Sequence, residues 1–252
     1  MSRLELRHVA KTFSEKHRET PALNDISFTV QPGEFVVMIG PSGSGKSTVF
    51  NLITGLLRPD RGEVILDGEL INGRTGLVGY MPQRDLLLPW RNVLDNVTLG
   101  PQIAGKPREA ATRRAYELLP LFGLDSFAKA YPATLSGGMR QRAALLRTFL
   151  LERDILLLDE PFGALDALTR RDLQLWLLEV WARFKTTILF ITHDVHEAVL
   201  LADRVLVLSP RPGHLEHEMP LDLPRPRDEL SSTFIQAEAA LLQFLSGPRE
   251  SR

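Results

Sequence analysis

Apolar and polar residues alternate at Leu4 and Leu6 and again through Ile26-Ser27-Phe28-Thr29-Val30, as in strands with one buried face. Pro32-Gly33 then turns the chain into Phe35-Val36-Val37-Met38-Ile39, where alternation stops and every position is apolar. Such a run predicts a strand covered on both faces, as in a parallel sheet. Val49, Phe50, Leu52, Ile53 and Leu56 recur at helical spacing, with Gly55 as the helix stop. Val64-Ile65-Leu66 predicts a strand entering a turn at Asp67-Gly68, and Leu77-Val78-Gly79-Tyr80-Met81 another that delivers Pro82-Gln83. From Arg84 to about Leu151 the pattern is mostly helical, broken by Pro89, Pro101, Pro107, Pro120 and Pro132. Apolar strands return at Ile155–Leu158, Thr187–Ile191 and Val205–Leu208. The stretches Pro210-Arg211-Pro212-Gly213 and Pro224-Arg225-Pro226-Arg227 read as loops, and a last helix is expected from about Asp228 to Leu245. This order predicts a parallel α/β core carrying a helical insertion, without internal repeats.

Composition narrows the class. A chain of 252 residues has room for one large domain, or for one domain and a modest appendage. Thirty basic against 31 acidic residues leave no global charge that would favour nucleic acid. The absence of cysteine excludes disulfides and thiolate metal sites and suits a reducing compartment. Met1-Ser2-Arg3-Leu4-Glu5 is not followed by the apolar core of a signal peptide. No segment approaches the ~18 consecutive apolar residues of a membrane span. The richest stretch, Ala143 to Leu151, is interrupted by Arg147. If the protein powers transport, another chain must supply the pore.

The loop Gly40-Pro41-Ser42-Gly43-Ser44-Gly45-Lys46-Ser47-Thr48 stands between the buried strand and the first helix. Its glycines let successive backbone N–H groups converge on phosphate oxygens, and the helix start adds a positive end. Lys46 is placed to reach the β- and γ-phosphates of a nucleotide and Ser47 to ligate Mg²⁺. Asp159 and Glu160 end the strand Ile155–Leu158, where carboxylates of a parallel sheet face the nucleotide crevice, and Asp159 suits Mg²⁺. Leu135-Ser136-Gly137-Gly138-Met139 opens a helix with a good N-cap at Ser136 and two glycines that leave N–H groups uncovered, a second anion-binding end.

A phosphate loop, an LSGG segment and an apolar strand ending Asp-Glu, in that order, resemble the ATP-binding subunit of ATP-binding-cassette (ABC) transporters over about residues 1–225. The resemblance implies an α/β fold, with a RecA-like P-loop core, an N-terminal antiparallel β subdomain and an inserted helical subdomain. The ATP-binding domain would span 1–210, with the helical insertion at about 84–150, and 211–252 would form a C-terminal extension with a helix. It further implies ATP and Mg²⁺ as cofactors. Glu160 would be the general base, Gln83 the contact to Mg²⁺ and the attacking water, and His193 the γ-phosphate contact. Phe13 matches the aromatic that stacks on adenine, although as a lone ring it also suits a core position. Asp166, in Gly163-Ala164-Leu165-Asp166, matches a dimer-interface loop and is also a routine N-cap. Because one nucleotide cannot readily use Lys46 and the Ser136-Gly137-Gly138 end of the same folded copy, the family's head-to-tail homodimer accounts for both anion sites. Met139 stands where many cassettes carry Gln. His196, His214 and His217 lack such placement and read as ordinary surface histidines.

Leu86-Leu87-Leu88-Pro89-Trp90 lies where transporter cassettes receive a permease, so docking is expected near Leu88, Pro89 and Trp90; a local core of the helical insertion is the competing reading. With Val93-Leu94-Asp95-Asn96-Val97 and Ser209-Pro210-Arg211-Pro212-Gly213, it resembles the nitrate, sulfonate and taurine importer branch. The implied protein is a peripheral ATPase on the cytoplasmic face of the cell membrane, energising import of a small anionic solute. Its partners would be transmembrane permease subunits and a separate solute-binding protein, with no nucleic acid. An importer for a vitamin-precursor-like solute, a soluble cassette ATPase of DNA repair or translation, and a catalytically dead cassette are the alternatives. The last is disfavoured by the presence of Lys46, Gln83, Asp159, Glu160 and His193.

Overall fold

A computed structural model describes residues 2–15 and 18–246. Met1 and residues 247–252 of the expected extension lie outside them. In chain order the elements are β1 (Leu4–Glu15), β2 (Arg18–Val30), β3 (Phe35–Ile39), α1 (Lys46–Ile53), β4 (Arg61–Leu66), β5 (Glu69–Leu70), β6 (Gly79–Met81), α2 (Val93–Val97), α3 (Leu99–Ile103), α4 (Arg108–Leu118), α5 (Gly137–Phe149), β7 (Ile155–Asp159), α6 (Ala167–Phe184), β8 (Thr187–Ile191), α7 (Val195–Leu201), β9 (Arg204–Leu208), β10 (Leu215–Pro220) and α8 (Ser232–Ser246). They divide into two compact units, one formed by residues 1–78 with 186–252 and the other by residues 79–185.

In the first unit, β2, β1, β4 and β5 form an antiparallel sheet in that order. Register shifts along β1 coincide with the left-handed residue His8 and bend the strand. The strands β9, β3 and β8 run parallel, with Val37 opposite both Phe190 and Val205. Every residue of β3 and β8 is buried, which is why both read as unbroken apolar runs. β10 adds antiparallel to β9 and lies between the stretches 210–213 and 224–227, which are irregular as expected; the sequence reading placed no strand there. This strand is only half-covered, so Leu215, His217 and Met219 alternate with exposed polar residues and form no apolar run.

α8 starts at Ser232, four residues later than the pattern suggested, because Asp228–Ser231 close a turn through a Ser231 N–H to Asp228 carbonyl bond of 3.0 Å. Phe234, Ala237 and Leu241 recur on its buried face, and the Phe234 ring lies 5.2 Å from that of His196 on α7. Arg225 donates to the Leu201 carbonyl at 2.6 Å and Arg227 to that of Val199, satisfying the last turn of α7 with cations where its dipole favours them.

In the second unit, β6 and β7 pair in parallel, with Tyr80 opposite Leu157. β7 is buried throughout. Phe122, Phe149, Phe184 and Trp176 build an aromatic cluster with centroid separations of 5.9, 4.8 and 5.1 Å. Among the described residues no helix is long and apolar enough to cross a membrane.

Candidate active site

The phosphate loop leaves β3 at Ile39 and enters α1 at Lys46. Gly45 caps this helix at φ 92° without a side-chain cap bond, so no side chain competes for the first-turn N–H groups. A Cβ at Gly45 would come within 2.5 Å of Leu23 Cδ2, so only glycine follows this path. The Lys46 ammonium is wrapped by the loop it follows: Nζ donates to the carbonyls of Gly40 at 2.8 Å and Pro41 at 3.0 Å, and lies 3.4 Å from Ser44 Oγ. Lys46 and Ser44 are buried, while Pro41, Ser42, Gly43 and Ser47 face solvent and Thr48 is half-buried. A buried cation beside uncapped N–H groups is an arrangement that suits a polyanion.

His193 follows β8 and is exposed. Its position is fixed from the C-terminal side: the Asp194 N–H donates to Thr192 Oγ1 at 3.0 Å, and the Asp194 carboxylate caps α7 through the Glu197 N–H at 3.2 Å. Phe13 is 38% exposed on β1, with Lys11 Nζ 6.0 Å from its centroid, so it is not a core residue. His196, His214 and His217 are more committed than the sequence suggested. His196 reaches Glu238 through Nδ1 at 2.8 Å and Glu229 through Nε2 at 3.0 Å, His214 Nδ1 meets Ser209 Oγ at 2.8 Å, and His217 stacks on Phe244 at 4.1 Å. Among the described residues no group of three or more His, Asp or Glu could by itself hold a metal ion.

In the second unit the buried strand β7 carries Asp159, 6% exposed, to its end. Glu160 then adopts φ 43°, a left-handed conformation that costs a non-glycine residue about 1–2 kcal/mol. The turn is closed by the Gly163 N–H on the Glu160 carbonyl at 3.2 Å. Gln83, just past β6, donates through Nε2 to Glu160 Oε2 at 3.2 Å, so the fold brings together two residues 77 positions apart. Tyr80 also takes part, a contact that no pattern along the chain indicated. Burial first, and then the charge of Asp159 and a hydrogen bond to its carboxylate, push the phenol pKa up to about 12. The phenol therefore stays protonated at neutral pH and donates to Asp159.

Ser136 caps α5 by accepting from the Met139 N–H at 3.2 Å. Gly137 and Gly138 follow, and a Cβ at Gly138 would come within 2.9 Å of Thr169 Cγ2 on α6, so glycine lets these helices approach. Asp166 caps α6 through the Thr169 N–H at 3.0 Å, and that bond holds its carboxyl below the usual range. Leu86 and Trp90 are 58% and 71% exposed, which argues against a local core for Trp90, whereas Leu87 is buried. Behind them Asn96 is completely buried. Its Oδ1 accepts from the Leu88 N–H at 2.7 Å, and its Nδ2 lies 3.1, 2.9 and 3.0 Å from the carbonyls of Leu88, Arg91 and Asn92. A polar residue between Val93 and Val97 on the apolar side of α2 was the available signal for this role.

A family model described as ABC transporter matches residues 23–163. A taurine import ATP-binding protein of Rhizobium johnstonii is 45% identical over 223 residues, covering 88% of this chain and 85% of that protein. An aliphatic sulfonates import ATP-binding protein of Bacillus cereus is 40% identical over 235 residues, covering 93% and 92% respectively. A solved dimeric structure of a bacterial ABC transporter cassette superposes with a TM-score of 0.76 at 33% identity, covering 86% of this chain and 98% of that one.

Proposed function

Because the chain belongs to the ABC transporter family, we propose that it is the ATP-hydrolysing subunit of an importer for a small sulfonate-like anion. It works on the cytoplasmic face of the cell membrane, attached to permease subunits near Leu88, Pro89 and Trp90 and served by a separate solute-binding protein. The observation that carries the enzymatic reading is the Gln83–Glu160 contact at the end of β7, next to the buried carboxylate of Asp159.

Lys46 and the loop N–H groups hold the phosphates, Phe13 offers a ring face to the adenine, and His193 reaches for the γ-phosphate. Asp159, Ser47 and Gln83 are the ligands assigned to Mg²⁺. Hard oxygen donors, too few to cage an ion without the substrate's own phosphate oxygens, fit that metal. When bound, it neutralises charge developing on the phosphates. Glu160 accepts a proton from the attacking water at its carboxylate, and the Gln83 amide fixes where that carboxylate points. The Ser136-Gly137-Gly138 end of α5 completes the site of a second copy, with Asp166 at the dimer interface.

Glu160→Gln tests this reading: ATP-dependent dimers should accumulate with hydrolysis nearly abolished, and undiminished turnover would remove Glu160 from the base role. Trp90→Ala should weaken association with the permease while sparing ATP binding; unchanged association would refute the docking assignment. The solute class is tested by uptake of taurine, an alkanesulfonate and nitrate into vesicles bearing the complete transporter. Uptake of none of the sulfonates would overturn it.

A further inference from the structure

The segment from Asp85 to Leu88 is held to α5 by both ends of that helix. In its last turn, Arg147 donates through Nη1 to the Leu86 carbonyl at 2.7 Å and through Nη2 to the Asp85 carbonyl at 2.5 Å. In its first turn, Arg140 places Nε 3.4 Å from Asp85 Oδ2 while its Nη1 holds the Leu135 carbonyl at 2.8 Å. Asp85 also accepts from the Leu87 N–H at 3.1 Å.

Between these anchors Leu86 sits at φ 46°, a conformation that a branched residue keeps only where its surroundings over-determine it. The consequence is an exposed Leu86 next to a buried Leu87. Arg147 thus grips main chain rather than side chains, and its rigid planar fork assigns one nitrogen to each of two successive carbonyls. Its guanidinium is itself desolvated, which lowers its pKa, and the Asp85 charge opposes that shift.

We propose that Arg147 is a positioning residue that makes α5 and the docking segment move as one body, so that force on Leu86 and Trp90 reaches the Ser136 end of α5. The inference rests on the docking reading above. α5 has 13 residues, about 20 Å of continuous helix, and is stiff enough to transmit a tilt along its length. Gln83, two residues before Asp85, carries a separate branch to Glu160 within the same copy. The α5 branch acts instead on the nucleotide of the second copy, through Ser136-Gly137-Gly138.

The test compares ATPase activity of the subunit alone with that of the assembled transporter given solute-loaded binding protein. Arg147→Lys keeps the charge but not the fork. It should leave the activity of the subunit alone within about twofold and permease association intact, while stimulation falls about tenfold. Asp85→Asn removes the carboxylate charge from Arg140 and from Arg147 but leaves both Arg147 bonds to main chain and an amide oxygen for the Leu87 N–H; it should give a smaller loss and serves if Arg147→Lys proves unstable. Full stimulation in both variants would overturn the proposal. So would loss of association in Arg147→Lys, which would make Arg147 a prop for the docking surface alone. Failure of the docking reading shows separately, as unchanged association in Trp90→Ala.

Discussion

Removing one oxygen, in Tyr80→Phe, tests how Asp159 is held. The phenol lies on β6 opposite Leu157 and bonds the carboxylate that ends β7. Its pKa rises from 10.0 to about 12, with burial as the largest cause and Asp159 next. A group whose pKa is raised on folding contributes stability that is complete below its unfolded value and is lost as pH rises through the folded one. Here the window is pH 10 to 12. Two units correspond to about 2.7 kcal/mol, and solvent screening of a half-buried ring reduces this to about 1–1.5 kcal/mol. At pH 8 the phenol is protonated in both folded and unfolded chains, so Tyr80→Phe should cost the bond to a charged acceptor, about 1–2 kcal/mol. Above pH 10 the wild-type chain loses its advantage while the variant has nothing to lose, so the two stabilities converge. Urea unfolding followed by tryptophan fluorescence at intervals from pH 8 to 11 measures both effects. A variant as stable as wild type at pH 8, or a difference that stays constant to pH 11, would refute the Tyr80–Asp159 bond as the cause.

Asn96→Ala leaves the Leu88 N–H and several carbonyls without their buried partner, and should lower stability by about 2–4 kcal/mol in urea titrations while weakening permease association although Trp90 is untouched. Gly138→Ala forces a Cβ to within 2.9 Å of Thr169 Cγ2 and should cost about 1–3 kcal/mol by calorimetry. Adding Thr169→Ser removes that methyl and should recover part of the loss; strictly additive effects would show the clash is not the cause. Asp166 has its pKa depressed by the Thr169 N–H, so its contribution is complete above its unfolded value near 3.8 and disappears as pH falls through the lower folded value. Asp166→Asn should therefore flatten the acid limb of stability below pH 3.8, and an unchanged limb would contradict the assignment.

What the sequence revealed and what it hid divide along one physical line. β3 and β8 were readable to the residue because burial on both faces leaves no polar position in the run, and α1 was readable from its helical period. Residues of the phosphate loop and the Asp159-Glu160 pair stood out as candidates because each group is contiguous in sequence. Tyr80, Asn96 and Arg147 were not, because each acts through a side chain on a partner that the fold supplies. Arg147 reaches carbonyls 61 and 62 positions away, and a backbone carbonyl has no residue type for a pattern to display. The only trace was negative: a charge interrupting the apolar stretch Ala143 to Leu151, and an amide between Val93 and Val97. Burying a polar group costs several kcal/mol unless it finds partners, so a polar residue at an apolar position implies a specific set of bonds. In this chain those interruptions fall behind the exposed Leu86 and Trp90, where the proposed docking surface would need a backbone that does not yield under load.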